Sequence, residues 1–105
     1  MITEDLFELI PEKSRGIILS KSISNGCNEM MDIDIVDFIY DSFGIEMRPR
    51  VYKGDYGERL WCVEVYDWYK TGDNHLQNLV GYRSRQEAVH KTLIWFWTEL
   101  YVKNS

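Results

Sequence analysis

Cysteine, proline and histidine each occur only twice in these 105 residues, and twelve basic residues stand against seventeen acidic ones. Each shortage excludes a class of function. Cys27 and Cys62 are too few for a disulfide framework, and neither belongs to a C-x-x-C pair, so neither structural zinc nor dithiol redox chemistry is expected. His75 and His90 have no second imidazole or thiol at ligand spacing, and no metal or cofactor is expected. The formal charge of -5 opposes binding to phosphate backbones, which rests on clustered Lys and Arg, so nucleic acid is not expected as a direct partner. Arg48, Arg50 and Lys53, and the pair Arg83 and Arg85, read as solvated ends of strands and helix. No apolar run approaches the roughly 20 residues of a membrane helix. The acidic start MITEDLFELIPEK, broken by Pro11, lacks the basic and apolar regions of a signal peptide. A reduced, cytoplasmic setting is expected. No phosphate-binding glycine motif is present, since KGDYGE lacks the Lys and hydroxyl residue of a P-loop.

What remains is ample material for a core. The chain is 45% hydrophobic and 28% charged, a balance that favours folding over disorder. Apolar residues run from Leu6 to Val102, so residues 1–105 read as one domain without a linker.

Local signals then place the elements. TEDLFELI offers Thr3 as an N-cap, with Glu4 and Asp5 in the first turn, and Pro11 ends this short helix. Residues 16–23, GIILSKSI, are rich in β-branched side chains and bounded by Gly16 and SNG, which predicts a short strand. Apolar residues at i, i+3 and i+4 predict a helix over 35–43. Its N-cap is Asp34, Ile33 and Phe38 form a hydrophobic staple, and Gly44 is the left-handed residue at its end. IEMRPRVY alternates as a half-buried strand, and Pro49 places it at a sheet edge. RLWCVEVYDWY is the strongest strand. Trp61, Val63 and Val65 point to the core, while Leu60, Cys62, Glu64, Tyr66 and Trp68 point the other way. After the turn KTGDNH, LQNLVGYR returns antiparallel to it. Ser84 and Glu87 have capping-box spacing and open the last helix. The expected class is α+β, an antiparallel sheet of three or four strands with helices packed on it.

That last helix contains KTLIWFWTEL, and its apolar arc is wider than one sheet-facing stripe requires. At about 100° per residue, Val89, Leu93, Phe96 and Leu100 share a stripe flanked by Thr92 and Trp97, while Trp95 lies away from it with Ala88 and Val102. Ile94 and Tyr101 fall beyond the opposite edge. Either another part of the chain covers Trp95, or that residue marks an interface, where Trp and Tyr are enriched.

For function, the acidic row is the first candidate. Asp34, Asp37 and Asp41 share one helix face by spacing and are expected to be exposed, with Asp32 and Glu46 nearby. A solvated row offers no shifted acid for catalysis, but it suits a basic surface on a protein partner. The expected binding set is Asp34, Asp37, Asp41, Glu46, Tyr66, Trp68 and Trp95, with no catalytic residue among them. Two alternatives are a homodimer formed through the C-terminal helix around Trp95, and an enzyme using Asp67, Asp73 and His75 at the hairpin end. Cys62 reads as a small buried hydrophobe.

The order from Asp34 onward, with LWCVEVYDWY followed by GYRSRQEAVHKTLIWFW, resembles the phage ABA sandwich domains of phages and prophages. In those domains a three-stranded antiparallel sheet is covered by helices. Residues 1–30 depart from that pattern, as does the aromatic final helix. The resemblance implies a phage or mobile-element origin and carries no catalytic residues to transfer. It also implies, by association, an anti-CRISPR-like inhibitor of a host defence protein, acting in the cytoplasm of a bacterial cell.

Overall fold

Alternating apolar and polar side chains from Ile45 to Tyr82 build a three-stranded antiparallel meander. A computed structural model describes residues 2–104, with side chains through Val102. The strands are β1 (Ile45–Lys53), β2 (Arg59–Asp67) and β3 (His75–Tyr82), with β2 in the centre. Three helices precede the sheet: α1 (Glu4–Leu9), α2 (Glu12–Ser24) and α3 (Asp32–Phe43). After it come α4 (Arg85–Trp95), a π-helical turn (Phe96–Leu100) and the short α5 (Tyr101–Asn104). The chain is therefore α+β, and its sheet has three strands. Among the described residues no helix is long and apolar enough to cross a membrane.

Register assigns each strand residue to a side. Met47 faces Val65 and Pro49 faces Val63 across β1 and β2, and directly opposed residues of an antiparallel pair share a face. Ile45, Met47, Val63 and Val65 are buried on that face. α4 packs on all three strands there and α3 packs on β1. Trp61 is half-buried at the end of the same row. As expected, Pro49 lies on an edge strand, the place in a sheet where proline is tolerated.

The helices correct three expectations. Residues 16–23 belong to α2 and are not a strand. β-propensity records a fit to a pleated surface, and packing overrides it here. Pro11, at φ -56°, begins the helix, a position where its missing N–H costs nothing. Ile18 and Ser22, one helical turn apart, are then both buried. Asp34 is not an N-cap, because α3 begins at Asp32. Nor does it share an exposed row: it is 3% exposed. Its carboxyl accepts the Ser22 hydroxyl at 2.7 Å and Asn25 Nδ2 at 3.2 Å, while Ser22 Oγ accepts the Met31 N–H at 3.2 Å. This chain of bonds ties the end of α2 to the start of α3. Ile33 is exposed, so no staple with Phe38 forms.

At the other end of α3, Gly44 closes the helix in the left-handed region, φ +69°, as its position suggested. Ser84 Oγ accepts the Glu87 N–H at 3.1 Å and starts α4. The final helix is not regular, which is the third correction. Tyr101 N–H donates to the Phe96 carbonyl five residues back, and Thr98 Oγ1 donates to the Ile94 carbonyl at 2.8 Å. The wide turn shifts the residues beyond Phe96 out of 100° phase. Tyr101, which a regular helix would place beyond the core stripe, instead packs on Trp97 at 5.0 Å and Phe43 at 5.8 Å between ring centroids.

Asp34→Ala removes the acceptor that joins α2 to α3, strands the buried Ser22 hydroxyl and frees the amide of the exposed Asn25. A loss of about 2–3 kcal/mol is expected, read as a lower urea midpoint with an unchanged slope. Asp34→Asn, which keeps one acceptor oxygen, should lose less.

Candidate functional site

The face of the sheet opposite the helices carries none of the buried strand residues. There β1 contributes Glu46, Arg48 and Arg50, which lie opposite Tyr66, Glu64 and Cys62 of β2. β3 brings His75 beside Tyr66 and Asn78 beside Glu64. Trp68 follows directly after β2, and its backbone N–H donates to the Gly44 carbonyl at 2.9 Å.

These side chains form one hydrogen-bonded and stacked array. Tyr66 and Trp68 stack with centroids 5.8 Å apart and planes at 19°. The Arg48 guanidinium lies 4.8 Å from the Tyr66 ring centre and 5.6 Å from that of Trp68. Glu46 Oε1 accepts both Arg48 Nε and Trp68 Nε1, each at 2.9 Å. Glu64 accepts the Tyr66 hydroxyl at 2.7 Å through one oxygen and Arg50 at 3.0 Å through the other. The imidazole of His75 meets the edge of Tyr66 at 5.3 Å and lies 2.8 Å from Asn78 Oδ1 through Nε2. Trp68 nonetheless remains 46% exposed.

Electrostatics follow from this geometry. The hydrogen bond from Tyr66 holds the Glu64 carboxyl below its ordinary value; burial opposes this, and Arg50 and then Arg48 add to it. The same bond raises the Tyr66 phenol above its ordinary value. Each cation has a carboxylate beside it, so the patch presents ring faces and paired charges. Such a surface can hold a ligand or a protein.

The residues expected to bind a partner are thus divided. Glu46, Tyr66 and Trp68 come together in the array. Asp37 pairs with Lys21 at 3.4 Å on the helical side, Asp41 is exposed there, and Asp34 is buried. Trp95, on which the dimer reading rests, is half-buried and packs against the core. α1 lies on α4, with Leu6, Ile10 and Ala88 fully buried. Asp67 and Asp73 each accept a backbone N–H within their own turn, from Tyr69 and His75. No hydrogen bond among the described residues joins the side chains of Asp67, Asp73 and His75 to one another. No group of three His, Cys, Asp or Glu side chains there is placed to hold a metal ion.

Arg48 and Glu64 were not singled out as site residues, and His75 was named only for the enzyme alternative; Arg48 and Arg50 lie within β1, exposed and each paired with a carboxylate, and not at a strand end. Cys62 is half-buried on the open face and not in the core. The signal lay in the register: a five-residue loop between Lys53 and Arg59 sets Arg48 against Glu64. Comparisons with protein-family models, curated proteins and solved structures find no match to this chain.

Because the folded Glu64 value is lowered, its contribution to stability is complete above the ordinary carboxylate range and disappears as pH falls through the lowered value. Tyr66→Phe should raise the Glu64 midpoint in a carboxyl carbon-13 titration, and Glu64→Gln should flatten the acid side of the stability profile.

Proposed function

We propose that the chain is a non-enzymatic protein-binding module that grips its partner on the open face of the sheet. The observation that carries this reading is Trp68, an indole left 46% exposed yet stacked on Tyr66 and hydrogen-bonded to Glu46. A side chain already held in one conformation loses little entropy on binding. Trp, Tyr and Arg are also the residue types that dominate interface energies. Arg48 joins the two rings, so all three types meet in one patch.

Charge divides the molecule in a way that supports a basic host protein as the partner. Residues 45–85 hold seven basic and six acidic side chains, so the acidic excess lies on the helices and termini. Long-range attraction from Asp37, Asp41 and their neighbours speeds encounter with a basic surface, while the neutralised sheet face supplies short-range contact. The resemblance to phage sandwich domains gives this reading its specific form, inhibition of a bacterial defence protein.

Partner capture from a bacterial lysate, followed by titration of the purified pair, tests the reading. Trp68→Ala should weaken binding by at least about thirtyfold, the range of a central aromatic anchor, mainly through faster dissociation. Asp37→Asn with Asp41→Asn should slow association at low salt and leave dissociation unchanged. Full affinity in the Trp68→Ala protein would overturn the sheet-face assignment. Unchanged restriction of phage and plasmid on expression would remove the inhibitor role.

A further inference from the structure

Around the end of the sheet from Trp68, on the helical side, a second set of rings surrounds a concavity of about 420 Å³. Phe43, Tyr69, Phe96 and Tyr101 line it, together with the carboxyl-bearing Asp67. Local structure explains how they meet. Gly44 turns the chain from α3 into β1, and a Cβ there would lie 2.8 Å from the Tyr69 ring, so glycine lets that ring lie across the turn. The π-helical turn brings Tyr101 to 5.8 Å from Phe43 and 6.4 Å from Phe96. Tyr69 is 72% exposed and leaves the concavity open.

The charge in this concavity is unbalanced. No lysine or arginine is among the described residues that line it, and Asp67 takes part in none of the ion pairs formed by described side chains. One Asp67 oxygen accepts the Tyr69 N–H at 3.0 Å. The open face shows what such a combination holds. There a carboxylate, Glu46, and two rings, Tyr66 and Trp68, seat the Arg48 cation. Among the described residues the concavity repeats the carboxylate and the rings without a cation.

We infer that this concavity binds a small quaternary ammonium ion, with the methyl groups against the rings of Phe43, Tyr69 and Tyr101 and the charge facing Asp67. Ring quadrupoles attract a cation most strongly when it sheds its water easily. A quaternary ammonium has no N–H to leave unsatisfied in an apolar site, unlike a primary amine. The volume accommodates a trimethylammonium group with a short polar tail. Asp67 and Tyr69 flank Trp68 in the chain but line the concavity, while the Trp68 indole stacks on Tyr66 on the open face, so the test of this site and that of the docking surface read different side chains.

The experiment titrates the full chain with choline and, separately, with its neutral carbon analogue 3,3-dimethylbutan-1-ol, following the aromatic ring protons by NMR. Choline should give saturable shifts at Tyr69 and Tyr101, with the analogue roughly tenfold weaker or more. Asp67→Asn keeps an oxygen for the Tyr69 N–H and so keeps the turn. It should weaken choline several-fold and leave the alcohol unchanged. Trp68→Ala should leave choline binding intact. Absence of saturable choline binding, equal affinity for the alcohol, or choline affinity unchanged in folded Asp67→Asn would each overturn the inference.

Discussion

The antiparallel register of β1 on β2, with Met47 opposite Val65 and Glu46 opposite Tyr66, decides which side chains meet on each side of the sheet. A slip of one residue in either strand would exchange the two faces. Val63 and Val65 would face water, and Glu64 and Tyr66 would enter the core. The buried row on one face and the five-residue loop between the strands specify the same alignment. Gly57 accommodates that loop at φ +81°, where a side chain is strained. The core and the aromatic array are thus two products of one alignment.

With three strands and helices packed on the buried row, the sheet keeps one face for other uses. The helical layer has its own fastening. Asp34, Ser22 and Asn25 hold α2 against α3, and α1 lies over α4. Phe43 bridges α3 to the final helix through Phe96, Trp97 and Tyr101. The crowded aromatics of KTLIWFWTEL are therefore largely consumed within the chain: Phe96 and Trp97 are buried, and Trp95 packs against the core. The stacked pair of Tyr66 and Trp68 lies apart from that cluster, on the open face of the sheet.

Most of the fold was legible because its signals are local. The three strands, the Gly44 terminus and the Ser84 start each depend on residues within a few positions of one another. What could not be read depended on distant partners. GIILSKSI has strand-like composition, yet it is helical, with Ile18 buried in the common core and Ser22 buried against Asp34 of α3. Asp34 looked like a capping residue, since nothing nearby revealed that Ser22 and Asn25, nine to twelve residues earlier, would enclose it. A π-helical turn leaves no mark in a 100° projection, so Tyr101 was assigned to the wrong side. Tyr66, Trp68 and Glu46 were recoverable from alternation alone, whereas Arg48, Glu64 and His75 required the register.

One oxygen in the array governs how its energy is shared. Glu46 Oε1 receives both Arg48 Nε and Trp68 Nε1, joining the edge strand to the segment that leaves the central strand. Two donors on one acceptor cannot have independent energies, and losing the acceptor frees both at once. Single substitutions at Glu46, Arg48 and Trp68 each remove part of the same interaction, so their costs sum to more than the array is worth. A double-mutant cycle on any two of them should show coupling. The shared acceptor makes Glu46, Arg48 and Trp68 one linked set, in which loss of any member leaves the other two less firmly placed.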